Sequence, residues 1–298
     1  MKLFKKLKIT YHKLSLKIFG NTLGIYINTL YLMYHYLSKK NIRTGDPIQV
    51  KQDNKSLENS CEKLLKKGVT FLEKQIDIQK IKEKFDFFFS DENKYKYSNY
   101  DAPGYRFLKR EKVKDFESEI KHILDSKIDF FLKKYFKSNY KIFWVNILQM
   151  TPVKNHDDDE SLLWHYDDNP IGILKIFIYC SNQDKDTGAF TFIELEKSEK
   201  IKCDGFFTYT TEDRIKNQNI FFKNIDNTDI NIAAGDEGSI LVFQNNIVHK
   251  GNLPLRDKRN LIVLEVMPST SEMTDEDLRK VLEKPFTIDF PRNPFLNN

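Results

Sequence analysis

The chain has 298 residues and only six histidines, and one of them stands in the run Leu163-Trp164-His165-Tyr166-Asp167. On extended backbone, residues i and i+2 project to the same side, so an imidazole nitrogen and a carboxylate oxygen from a His-x-Asp pair can reach one cation. His249, 84 residues further on, offers a second imidazole from a distant part of the chain. Two imidazoles and a carboxylate gathered on one face of a divalent ion leave its other face open for substrate and oxygen.

A His-x-Asp pair alone is a cheap coincidence. With 25 aspartates in the chain a chance match to one of the six histidines is about as likely as not, and His156-Asp157-Asp158 supplies a second one. Context separates the two. His156 lies in the polar run from Lys154 to Glu160, which reads as a solvated loop, whereas His165 follows Leu162, Leu163 and Trp164 and leads into the apolar run from Ile171 to Cys180. A cavity that excludes water needs the second kind of neighbourhood, so His165, Asp167 and His249 form the candidate metal triad.

Arginine is scarce here, with 8 residues against 40 lysines, yet Arg259 comes ten residues after His249, beyond a Gly/Pro turn. An antiparallel hairpin would set it beside the strand that carries His249. A guanidinium at that position could clamp a dicarboxylate through paired, charged hydrogen bonds. Gln149 and Tyr179 are expected to line the same pocket if their strands face inward, and Lys175 could assist an acidic group. The competing expectation for these three is ordinary strand packing. Trp144 and Trp164 read as core residues.

The elements that must position these groups change character along the chain. Helices are expected near 74–89 and 113–136, the latter from the spacing of Phe116, Ile120, Ile123, Ile128 and Phe131. Short β-rich runs follow at 141–150, 171–180, 189–194, 220–223, 239–243 and 261–266, separated by turn material such as 182–186 and 234–238. Helices followed by many short strands imply an α+β domain with a mainly β core, a sandwich or barrel. Residues 197–231 interrupt the strand pattern between the two halves of the triad and could form a lid that carries specificity.

The residues His165-Tyr-Asp167, the run Gly235-Asp-Glu-Gly-Ser-Ile-Leu-Val-Phe243, His249-Lys-Gly-Asn252 and Arg259 before a last strand resemble the phytanoyl-CoA dioxygenase-like branch of the Fe(II)/2-oxoglutarate oxygenases. The strand Leu174–Tyr179 and the turn Asp186-Thr-Gly-Ala-Phe190 are also similar to that branch, and the likeness spans roughly residues 61–267. It implies a double-stranded β-helix (jelly-roll) core flanked by N-terminal helices. His165, Asp167 and His249 would then hold Fe(II), and Arg259 would bind the distal carboxylate of 2-oxoglutarate, with Gln149, Lys175 and Tyr179 around it. The implied reaction consumes O2 and 2-oxoglutarate and hydroxylates a C–H bond, releasing succinate and CO2, with ascorbate a candidate accessory reductant. An aspartate at 167 favours hydroxylation over halogenation, which needs a small residue there. The family's continuation after the glycine turn is altered here to Phe192-Ile-Glu-Leu-Glu196, which leaves the substrate open among small molecules, lipids and glycan precursors. Two alternatives stand beside this expectation: a hydrolytic divalent-metal jelly-roll, and a non-catalytic binding module. A hydrolase has no need of a buried dicarboxylate clamp, and a binding module leaves the triad unexplained.

The charge is uneven. Residues 1–43 carry eight Lys and one Arg with no acid, and the other 255 residues hold 39 bases against 43 acids. A mildly acidic body argues against nucleic acid as a partner. In the basic head, Leu3, Phe4, Leu7, Tyr11, Leu14 and Ile18 share one helical face away from most of the lysines, and the stretch from Phe19 to Leu37 has no formal charge. This suits a membrane surface contacted through residues 1–37 better than a crossing, with packing of the helical pair on the body as the equal alternative. Three cysteines at unrelated spacings give no disulfide framework and fit a reducing, cytoplasmic setting, peripheral to the membrane if the head binds it. The expected organisation is a helical extension over 1–40, a linker over 41–60, the oxygenase domain over 61–283 and an extended tail over 284–298.

Overall fold

The computed structural model describes residues 54–285, apart from 73–75, 100–103, 125, 154–161, 168, 170–171 and 209–210, together with scattered positions between 14 and 36. His156, the lysines of the basic head and the tail beyond 285 lie outside the described residues. Helix α1 (Asn54–Lys67) begins inside the stretch expected as linker and buries Leu57, Cys61 and Leu64, spaced i, i+4, i+7 on one face. Gly68 ends it at φ +78°, donating its N–H back to the Leu64 carbonyl at 2.9 Å. A Cβ there would fall 2.5 Å from the Ile247 side chain, so only glycine turns the chain at this point.

Strand β1 (Val69–Leu72), helix α2 (Gln79–Phe88) and strands β2 (Tyr97–Asn99) and β3 (Tyr105–Leu108) come next. The single helix expected over 113–136 is instead α3 (Arg110–Val113), α4 (Glu117–Ile123) and α5 (Ser126–Phe136). Leu124 leaves the helical region at ψ 38°. The five-residue step from Ile123 to Ile128 does not fit one helical face, and the break lets both side chains reach the core.

The long strand β4 (Asn139–Met150) and β5 (Leu174–Tyr179) follow, then β6 (Thr191–Phe192), α6 (Leu195–Cys203) and α7 (Thr211–Asn224). The expected strand over 220–223 lies within α7. Its aromatic run is short enough to fit either element, and the helix carries Glu212 and Asp213 in its first turn, where carboxylates oppose the helix dipole. The remaining elements are β7 (Asn231–Ile232), β8 (Ile240–Gln244), β9 (His249–Lys250), β10 (Arg259–Ser269) and α8 (Asp275–Glu283), the last opened by a reciprocal cap between Thr274 and Asp277.

The strands form two antiparallel sheets. The larger runs β1-β8-β5-β10-β4-β3-β2 and the smaller β7-β6-β9. On one face of the large sheet Ile176, Val242, Ile262 and Leu264 pack with Leu64, Phe85, Phe131 and Val281 from the helices. On the other, Leu241, Phe243, Leu261 and Val263 meet Phe190, Ile247 and Leu253 from around the small sheet. Covered on both faces, β8 reads as the unbroken apolar run Ile-Leu-Val-Phe rather than as an alternation. Each such side chain contributes about 2 kcal/mol by burial. A third cluster joins Trp164 and Tyr166 to Ile201, Phe206 and Phe221 of the α6–α7 region, fastening that insertion over the loop that carries His165 and Asp167. Among the described residues no helix is long and apolar enough to cross a membrane.

Candidate metal centre

His249 opens β9, on the small sheet, opposite Phe192 of β6. His165 forms an isolated antiparallel bridge with it. Each donates its backbone N–H to the other's carbonyl, at 2.8 and 2.7 Å. Two residues on, Asp167 donates its backbone N–H to the Asn245 carbonyl at 3.1 Å. The three side chains converge, with one ligand atom from each lying within 4.8 Å of the others.

The imidazoles are oriented from behind. Nδ1 of His165 is 2.7 Å from the Leu163 carbonyl and Nδ1 of His249 is 2.9 Å from the Ile247 carbonyl. A carbonyl accepts but cannot donate, so each Nδ1 carries the proton and each Nε2 keeps its lone pair. Those Nε2 atoms face the Asp167 carboxylate, at 3.9 Å from Oδ1 for His165 and 3.7 Å from Oδ2 for His249. Burial lowers the basicity of both rings, to about 4 for His249 and well below the ordinary value for His165, where the neighbouring imidazole adds to the effect. Burial opposes the charge on Asp167, but the Lys175 ammonium and the two imidazoles outweigh it and hold the carboxyl well below the usual range. Neutral imidazoles beside an ionised carboxylate, with both lone pairs pointing inward, are the donor set that a divalent cation requires.

A cavity of about 130 Å³ adjoins the triad, lined by His165, His249, Lys175, Phe177, Phe190, Tyr105, Met150 and Arg259 among others. Arg259 enters it from the large sheet, where it pairs with Met150 of β4. The expected hairpin with the His249 strand does not form, because β9 and β10 belong to different sheets and the turn between them crosses from one layer to the other. Arg259 is 2 % exposed. Its Nη1 reaches only the Met150 sulfur, at 3.5 Å, and its Nε has no hydrogen-bond partner. Among the described residues no carboxylate forms an ion pair with it, and burial depresses its basicity, offset slightly by Tyr179 and Tyr105.

The other expected pocket residues divide. Lys175 lines the cavity but is bound to Asp167 at 2.5 Å and Glu265 at 3.2 Å. Tyr179 lies on the same face of β5, further from the triad, with its hydroxyl donating to the Ala233 carbonyl at 2.8 Å. Gln149 does not reach the cavity. Strand alternation sends Leu148 and Met150 inward and Gln149 to the opposite face, where it donates to Asn260 and accepts from Arg106. Two participants were missed from sequence. Glu265 stands directly opposite Lys175 in the β10–β5 register, a lone acid in an apolar strand facing a lone base in its neighbour. Gln218 of α7 donates to the Trp164 carbonyl at 2.9 Å and accepts from the Trp164 N–H at 3.3 Å, tying the insertion to the residue before His165.

No protein-family model and no curated protein matches the chain. Solved structures do. SnoN, the non-heme alpha ketoglutarate dependent epimerase of nogalamycin biosynthesis, superposes with a TM-score of 0.53 at 13 % identity, over 72 % of this chain and 84 % of that one. The carbocyclase SnoK from the same biosynthesis gives 0.51 at 10 %, over 78 % and 94 %. SnoN in complex with Fe3+, alpha ketoglutarate and nogalamycin RO gives 0.50 at 10 %, over 72 % and 84 %. The chain therefore shares the fold of non-haem 2-oxoglutarate-dependent enzymes.

Proposed function

We propose that the protein is an Fe(II)- and 2-oxoglutarate-dependent oxygenase acting on a small organic substrate. The observation that carries this is Arg259, a buried guanidinium with no anionic partner among the described residues, in the same cavity as the His165-Asp167-His249 triad. A buried cation left unpaired costs stability unless something else uses it. The distal carboxylate of 2-oxoglutarate is of the right charge and shape, and a hydrolytic metal site would leave Arg259 without a purpose.

In this proposal His165, Asp167 and His249 hold the metal, and the Nδ1 contacts of both imidazoles keep Nε2 turned toward it. Arg259 anchors the cosubstrate while Phe177, Phe190 and Leu261 keep water from its flanks. Fe(II) with bound 2-oxoglutarate supplies oxygen activation driven by decarboxylation of the cosubstrate. Hydroxylation is the proposed outcome, since Asp167 keeps the carboxylate that halogen transfer would displace. The solved neighbours that epimerise and cyclise support a family of outcomes for this fold, and in them substrate placement rather than fold would decide among these. Membership of the phytanoyl-CoA dioxygenase-like branch, a jelly-roll arrangement of the two sheets, and a catalytic unit over 61–283, lengthened at its start to Asn54 by α1, belong to the same proposal. So does peripheral attachment to a membrane through residues 1–37.

The test is anaerobic addition of Fe(II) and 2-oxoglutarate to the purified protein. A weak visible metal-to-ligand absorption band should appear, and His165→Ala should abolish it while His156→Ala leaves it. Well-folded protein that shows no band would falsify the oxygenase proposal, and loss of the band in His156→Ala alone would show that the other motif holds the metal.

A further inference from the structure

The carboxylate of the triad has its own keeper. Lys175 Nζ stands 2.5 Å from Asp167 Oδ2, and Glu265 Oε1 stands 3.2 Å from the same ammonium. Lys175 and Glu265 are direct cross-strand partners on β5 and β10, and all three side chains are largely withdrawn from water. A buried Lys–Asp pair would be complete by itself. The second carboxylate is an expensive addition in such a place, and it leaves the group with one net negative charge. A cation bound beside it would balance that charge.

The two Asp167 oxygens are placed almost alike toward the imidazoles, Oδ1 at 3.9 Å from one Nε2 and Oδ2 at 3.7 Å from the other. Position relative to the rings therefore does not stop both oxygens from taking the same ion. The backbone contact to Asn245 fixes the main chain of Asp167 and leaves its carboxylate free to turn. Lys175 occupies Oδ2. We infer that the Glu265–Lys175 pair positions Asp167 as a one-oxygen ligand, with Lys175 withholding Oδ2 and Glu265 returning the negative charge that Lys175 would otherwise cancel. This rests on the metal proposal above and adds to it. A carboxylate chelating through both oxygens would take a coordination position that a two-toothed cosubstrate and oxygen need. Lys175 and Glu265 are thus positioning residues, and Lys175 is committed to Asp167 rather than to the cosubstrate.

The experiment uses Mn(II) alone as the probe, bound to the full chain without 2-oxoglutarate, and counts exchangeable metal-bound waters by water-proton relaxation. Lys175→Met/Glu265→Gln removes both partners together and keeps the net charge of the group, with Asp167 its one remaining charge. It should bind Mn(II) within a few-fold of wild type but with one water fewer, because Asp167 is free to chelate. Glu265→Gln alone should keep the wild-type water count and bind Mn(II) about tenfold more weakly. An unchanged water count in a folded double variant overturns the inference. If the double variant does not fold, Glu265→Gln decides, and wild-type affinity there overturns it equally. Wild-type protein that binds no Mn(II) fails the metal proposal itself, an outcome distinct from either.

Discussion

His165 and His249 hold each other in place through two backbone hydrogen bonds, so the main chain itself pairs the two imidazoles. The candidate metal centre is therefore positioned by contacts of the main chain itself.

The pH dependence of the metal-free protein should reveal this. In the unfolded chain each histidine takes up a proton near its ordinary value of 6.5, while folded His249 resists until about 4. The unfolded state then binds more protons across that interval, so stability is present above it and falls as the pH drops through it. Chemical denaturation at pH 7 and pH 4.5 should show a clear loss for the wild type. His249→Gln should show a shallower slope, and identical slopes would contradict the neutral, buried imidazole.

Arg259 should trade stability for binding. Replacing the unpaired guanidinium with Met removes a buried charge and fills its place, which should raise the thermal midpoint by about 2 °C or more. The same change should weaken 2-oxoglutarate binding by about 100-fold, as expected for loss of a charged, two-point contact. Calorimetry of the variant beside the wild type reads both effects. A variant that is both less stable and equally able to bind would show that Arg259 is a packing residue.

Gly188 takes φ +79° in the turn before β6, and a Cβ there would lie 2.5 Å from the Asn252 carbonyl oxygen. Backbone cannot move aside as a side-chain tip can, so Gly188→Ala should cost about 2 kcal/mol or more. Asn252 also anchors β6 through the Ala189 carbonyl and Thr191 hydroxyl, at 2.5 and 2.9 Å. Because β6 carries the partner of His249, the variant should also lose Mn(II) affinity. Titration with Mn(II) alongside denaturation would separate it from a harmless turn change.

The basic head gives the fourth expectation. Its lysines are worth about 1 kcal/mol each near an anionic bilayer. Full-length protein should co-float with phosphatidylserine vesicles at low salt, and a chain lacking residues 1–40 should not, while still binding Mn(II). Full-length protein that stays free of the vesicles refutes attachment, and unfolding of the shortened chain assigns the head to packing.

What could be read from the sequence was which side chains the fold gathers, more than the route by which the chain delivers them. His165, Asp167 and His249 were visible because a polar trio at this spacing sits among apolar runs. Arg259 was visible because arginine is rare in this chain. Its neighbour was misplaced, since a Gly/Pro turn between two strands looks the same whether it closes a hairpin or crosses between layers. Gln149 was misjudged for a related reason: alternation says that one of two adjacent residues faces inward, and only the register with β10 says which. The run over 220–223 could not be assigned by periodicity, being four residues long. Glu265 could have been found, as a single acid in the apolar stretch 261–266 facing a single base in 174–179. That signal needs the pairing of two strands 90 residues apart.

Strand β10 carries Arg259 at one end and Glu265 six residues later on the same face, with no register shift between them. At about 3.3 Å per residue the strand sets the two residues roughly 20 Å apart along its backbone. In the proposed oxygenase the cosubstrate would be held from this strand, so its placement would be set by the large sheet. In the same proposal the choice of substrate would fall to the α6–α7 insertion, which contributes no strand to the large sheet. The two specificities would then lie on separate elements, one on a strand and the other on an insertion that can change without disturbing it.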